Sequence, residues 1–180
     1  MVEPDFTLEG VPLALALVNT IDLLEDPPDL LRDVGRLRRF LTHWGYASRP
    51  ATGRDLARIR NLRDRVTEAM GSDPATAAAI LGQLGTRLDT RPRLVPAESG
   101  MWTLRHGPAP GEGLNALSAS VVVGLMELLA AGEWDRIGTC AGAPCRCVFV
   151  DRTRNRTRRF CCQLCADRIN QARARARRRT

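Results

Sequence analysis

The chain has 180 residues, 44% hydrophobic and only 4% aromatic, which suits one ordinary domain plus a small module with an aliphatic core. No run of 18 apolar residues occurs, and the acidic start MVEPDFTLEG lacks the basic flank of a signal peptide, so the reading is a cytoplasmic protein with no membrane partner. The net charge of +7 is unevenly divided: residues 1–135 carry 14 arginines against 18 acids, residues 136–180 carry 13 arginines against two acids, and lysine is absent. A basic quarter of this kind points to a polyanion.

Along the chain, VPLALALVNTID (11–22) reads as a short buried helix, although its apolar run also permits a strand. Glu25-Asp26-Pro27-Pro28 breaks it. Leu30, Leu31, Val34, Leu37, Phe40, Leu41 and Trp44 form the stripe of a second helix, which Gly45 stops. Residues 53–70 predict a third, with Leu56, Ile59, Leu62, Val66 and Met70 on one face and Arg60 paired with Asp64 on the other. Asp73 and Pro74 read as N-cap and first turn of a helix over about 74–84.

Residues 91–106 suggest two short strands around a turn at Glu98–Gly100, followed by a Gly/Pro-rich loop to Gly113. In 115–131 the trio Val121–Val123 favours a strand locally, but length and Ala/Leu content predict a buried helix ending at Gly132. The link Gly132–Thr139 is short, so the basic module is expected to lean on that helix. The fold class is therefore mainly α: a helical domain over 1–135 with a small β-hairpin, then a module over 136–180 with a four-cysteine zinc site and a basic helix.

All six cysteines lie between Cys140 and Cys165. Four residues separate Cys140 from Cys145 and three separate Cys161 from Cys165, with fifteen between the pairs. Two close pairs across a loop are the layout of a structural tetrathiolate site, and one Zn2+ would supply folding energy that a short polar segment cannot draw from a core. An iron–sulfur cluster, disulfides and a redox centre are the competing readings. Cys162 begins its own C-x-x-C with Cys165, so either Cys161 or Cys162 can be the third ligand. Cys147, in CRCVFV, reads as a small core filler.

Between the pairs, Arg152, Arg154, Arg156, Arg158 and Arg159 alternate with Thr153, Asn155 and Thr157, all donors suited to phosphate oxygens. A helix after Cys165 carries Arg168, Asn170, Gln171, Arg173, Arg175 and Arg177. Asn155, Arg156, Arg168, Asn170 and Gln171 are the candidate base readers, since arginine pairs with guanine and Asn/Gln with adenine.

At Cys140-AGAP-Cys145, Asp151-Arg-Thr-Arg-Asn155, Phe160-Cys161 and Cys165-Ala-Asp-Arg168 the chain resembles the bacterial CGNR zinc-finger family. LALALVNTID (13–22), with Asn19-Thr20, resembles the helical domain that accompanies it. The departures are one residue fewer in the last cysteine pair, Phe160 and Cys147 where the family has tryptophan, and Cys-Ala-Asp-Arg in place of Cys-Gly-Asn-Arg. Asp167 brings a negative charge near any phosphate and is expected to pair with Arg168 or a loop arginine. The resemblance implies a DNA-binding transcription regulator, described in some members as stress-induced.

The alternatives are an RNA- or ribosome-associated zinc protein, or an adaptor whose tail binds acidic partners. A homodimer and a small-molecule effector of the helical domain are further partners to test. Catalysis is not expected. The two histidines, His43 and His106, fall in no catalytic or metal motif, and no phosphate-binding glycine loop or nucleophile elbow occurs.

Overall fold

The computed structural model describes residues 10–88, 90–96, 100–107 and 113–177. The elements run α1 (Gly10–Val18), α2 (Val34–His43), α3 (Gly53–Met70), α4 (Pro74–Arg87), β1 (Pro92–Pro96), β2 (Trp102–His106), α5 (Leu114–Ala130), a 3-10 turn (Trp134–Arg136), β3 (Ile137–Thr139), β4 (Val148–Val150) and α6 (Gln163–Arg177). The chain is mainly helical, with a small hairpin, a four-cysteine cluster and a helix after it. The acidic start, Glu98 of the expected turn and residues 178–180 lie outside the described residues.

α5 is the hub. It is apolar on every side, and Leu117, Val121, Val122 and Leu125 are fully buried among α1, α3 and α4, as a helix without a polar face requires. The Val121–Val123 trio does not make it a strand, because the ten buried residues spread along its seventeen outweigh local β-propensity. α1 crosses it where two glycines meet: a Cβ on Gly124 would lie 2.6 Å from the Gly10 backbone, and one on Gly10 would lie 2.0 Å from the Ser120 carbonyl. Only glycine permits this approach.

Side-chain caps set the helix starts. Asp33 accepts from the Arg36 N–H, Thr52 and Asp55 form a reciprocal capping box, and Asp73 accepts from Ala75 and Thr76 ahead of Pro74. α4 continues to Arg87, three residues past its expected end. The apolar stripe predicts a helix already at Leu30, but α2 begins at Val34. Asp29 accepts the Leu31 N–H at 2.9 Å and holds these residues in a turn, although Leu31 is still buried. The predicted Arg60–Asp64 pair is also replaced. Arg60 reaches Asp29 (3.3 Å) and the Leu31 carbonyl (3.1 Å), while Asp64 faces Arg63 at 3.6 Å.

Arg63 is buried and donates to Asp29 (2.7 Å) and to the Thr20 hydroxyl (3.0 Å). Its hydrogen bond holds the Asp29 carboxyl below the usual range, against the opposing effect of burial. The expected Asn19-Thr20 pair thus sits at the end of α1 with both side chains engaged. Thr20 anchors Arg63, and Asn19 reaches across to β4. Asn19 Nδ2 donates to the Val148 carbonyl (2.9 Å), and the Val148 N–H donates to Asn19 Oδ1 (2.7 Å). Ile137, Val148 and Val150 pack on the main core, and Trp134 is buried with its indole N–H on the Ser72 carbonyl (3.1 Å). The cysteine module therefore docks on the end of α1.

Two predictions follow from these contacts. Gly124→Ala should destabilise the protein by about 1–3 kcal/mol through overpacking, read from the urea midpoint. Asn19→Ala leaves both backbone groups of Val148 without this partner; it should cost about 1–3 kcal/mol and speed amide exchange selectively at Val148.

Candidate metal centre and nucleic-acid interface

β3 and β4 pair antiparallel, with Gly138 opposite Phe149, and bring Cys140 to the end of the hairpin. The tip is tied by the Cys140 N–H on the Cys147 carbonyl (2.9 Å) and the Cys145 N–H on the Gly142 carbonyl (3.0 Å). Cys161 sits in the bend two residues before α6 and Cys165 in the first turn of that helix. The Ala141 N–H donates to the Arg159 carbonyl (2.9 Å) and joins the two halves.

The Sγ atoms of Cys140, Cys145, Cys161 and Cys165 all lie within 4.8 Å of one another. Cys145–Cys161 and Cys161–Cys165 are each 3.7 Å apart. Zinc–sulfur bonds of about 2.3 Å place the sulfurs of a tetrahedron about 3.8 Å apart, so this donor set fits Zn2+. Gly142 leaves room at the cluster: a Cβ there would lie 3.2 Å from Cys165 Cβ and 3.4 Å from Cys140 Sγ.

The thiols influence one another strongly. Burial opposes ionisation of Cys140, but the N–H groups of Cys161 and Gly142, each 3.4 Å from its Sγ, outweigh burial and bring it to about 7. Burial, followed by neighbouring sulfurs, pushes Cys161 far up, and Cys165 rises to about 12 chiefly by burial. Four such groups ionise together only with a cation among them, which is what a divalent metal supplies.

Of the two neighbouring thiols, Cys161 joins the cluster, whereas Cys162 is exposed with its Sγ 3.8 Å from that of Cys161. Cys147 is half-buried against the cluster but outside the four, and burial pushes its thiol up to about 12.

Arg168, expected among the base readers, turns inward. Its Nη2 donates to the Gly142 carbonyl and lies 3.8 Å from Cys165 Sγ, so the guanidinium caps the sulfur cluster. Asp167 pairs neither with Arg168 nor with a loop arginine; it accepts from Gln163 Nε2 at 2.7 Å, one helical turn back.

The arginine loop is organised by a residue whose role the sequence reading did not identify. Asp151 is buried and accepts from the Thr153 N–H (2.8 Å), the Thr153 hydroxyl (2.6 Å) and the Arg158 N–H (2.7 Å). Burial disfavours its charge, but these donors and nearby Arg136 hold its carboxyl below the usual value. Arg136, also missed, donates to the carbonyls of Asp151 (3.0 Å) and Thr153 (3.2 Å). The signal available for Asp151 was Asp-x-Thr, the spacing of an Asx turn.

Three loop arginines have neighbours in the protein. Arg156, at a left-handed φ of 52°, pairs with Asp135. Arg158 donates to the carbonyls of Phe160 and Cys161 and lies 4.8 Å from the Phe149 ring centre, while Arg159 sits 5.9 Å from that of Phe160. Arg152, Arg154 and Asn155 are exposed. On α6, where Cys165 is the only residue buried, Asn170, Gln171, Arg173, Arg175 and Arg177 are exposed as well. His43 lies edge-on to Trp44, and His106 lies 3.9 Å from Glu127. A cavity of about 70 Å³ beside Tyr46, Arg49 and Asn115 is smaller than pockets that hold small-molecule effectors.

The cap over the sulfurs makes a prediction. Arg168→Met should weaken zinc about 10–100-fold, read by chelator competition, because it removes a contact that orients the ligand shell. Cys162→Ser should leave zinc stoichiometry unchanged.

Among protein families, residues 12–132 match the model described as "Putative stress-induced transcription regulator", and residues 136–178 match the CGNR zinc finger. No curated protein matches the chain. Both matched families are regulatory or zinc-finger families and neither is catalytic. The CGNR finger coordinates a single Zn2+ ion, consistent with the four gathered sulfurs. Among the described residues no helix is long and apolar enough to cross a membrane. The match over 12–132 covers well over half of the chain, which therefore belongs to the family described as "Putative stress-induced transcription regulator" and carries a CGNR zinc finger beside that domain.

Proposed function

We propose that the protein is a cytoplasmic, zinc-dependent regulator that binds duplex DNA through residues 136–180 while residues 1–135 form the regulatory domain. Cys140, Cys145, Cys161 and Cys165 hold one Zn2+, whose bound thiolates fix the arginine loop against the start of α6. The metal serves structure here, since four protein sulfurs complete a tetrahedron and leave no open position for chemistry.

The observation that carries this reading is the division of the arginines. Arg156 is paired with Asp135 and Arg158 with backbone carbonyls, whereas Arg152 and Arg154 project from a loop pinned at Asp151, and Arg173 and Arg175 project from α6. Exposed guanidinium groups on a metal-fixed frame suit phosphate contact, while Asn155, Asn170 and Gln171 are the remaining polar side chains that can reach base edges. Duplex is favoured over single strands because Phe149 is buried and Phe160 is half-buried, so neither is a free stacking platform.

Fluorescence anisotropy with matched duplex DNA, single-stranded DNA and RNA tests this. Duplex should bind most tightly, and its affinity should fall as salt rises. Arg152→Ala with Arg154→Ala should lower the log–log salt slope by about 2, and metal removal should abolish binding. Much tighter binding of RNA at equal salt would defeat the proposal.

A further inference from the structure

The hairpin β1–β2 reverses the usual arrangement of an antiparallel pair. One face ordinarily packs on the core and the other carries polar groups to water. Here Leu94 pairs with Leu104 and Pro96 with Trp102, which places these four side chains on one face. That face points outward: Leu94 is 66% exposed, Trp102 68% and Leu104 56%, with neighbouring Met101 at 69%. The hairpin is anchored from β2 onto α5, with His106 near Glu127 and the Arg93 guanidinium on the Gly107 carbonyl.

We infer that this face is the contact through which two copies of the chain pair, hairpin against hairpin. The four large side chains expose on the order of 600 Å² per copy, so their complete burial in a pair sets an upper bound on the order of 1,200 Å², the low end of specific interfaces. The chemistry favours a second copy over an unlike partner. In a two-fold contact each residue lies near its own mate, so a charge there would meet its like. In a chain that is 26% charged, the exposed positions of this face are Pro92, Leu94, Pro96, Trp102 and Leu104, none of them titratable.

The contact is face to face, not strand to strand. Pro92 and Pro96 lack an N–H and blunt the β1 edge against sheet extension. The inference is independent of nucleic-acid binding, because the hairpin belongs to the helical part and carries none of the residues assigned to the polyanion.

Sedimentation velocity on the zinc-loaded full chain without DNA, from low to hundreds of micromolar, tests it. The native protein should pass from monomer to dimer across that range, with equal or tighter association at high salt, the opposite of the salt response of DNA binding. Leu94→Glu with Leu104→Glu should remain monomeric at every concentration while zinc content and far-UV circular dichroism stay native. Trp102→Gln, a milder change, should weaken dimerisation at least tenfold and serves as the deciding variant if the double substitution misfolds. A native protein that is monomeric throughout, or a folded variant that dimerises as tightly as the native chain, would overturn the inference.

Discussion

Four sulfurs within 4.8 Å of one another are the constraint on which the basic module depends. Left as thiols they waste a buried polar site, and as thiolates they repel, so the arrangement calls for a cation. The surrounding protein is built for that charge. Two backbone N–H groups point at Cys140 Sγ, and the Arg168 guanidinium faces Cys165 Sγ. Apart from the cysteines and Phe160, few side chains pack there, so a metal takes the place of a hydrophobic core.

That constraint explains why so many arginines in one loop do not make a featureless cationic patch. The loop is closed at its base by Asp151 and Arg136, which satisfy backbone groups that would otherwise stay loose. Arg158 on the surface and the part-buried Arg168 then brace the module by donating to carbonyls. Counting all arginines as phosphate ligands would overstate the electrostatic footprint, because a guanidinium held by carbonyls or carboxylates is not equally free to displace counterions.

Much of the helical part was legible because its signals are local. Residues 53–70 carry a regular apolar spacing that agrees with α3, whereas the capping box at its start was not read from the sequence. The four metal-type cysteines were legible from spacing, but Cys161 and Cys162 are neighbours that spacing cannot separate; only the direction of entry into α6 does so. Arg168 and Asp29 were misread or passed over for a shared reason. Their partners, Gly142 and Arg63, lie 26 and 34 residues away, and no local pattern encodes such pairing. The start of α2 failed differently: Leu30 and Leu31 keep the apolar stripe, but a hydrogen bond from the Leu31 N–H to Asp29 competes with the helix.

The link between the two parts is polar as well as hydrophobic. Arg63 on α3 holds Asp29 and Thr20, Thr20 adjoins Asn19, and Asn19 grips both backbone groups of Val148. Val148 begins β4, and β4 leads directly into Asp151, the residue that closes the arginine loop. The end of α1 and the base of the loop are thus joined by one short strand with its backbone groups satisfied on both sides. Gly10 and Gly124 leave no slack where α1 crosses α5, so the end of α1 that carries Asn19 is held firmly against the hub of the helical part.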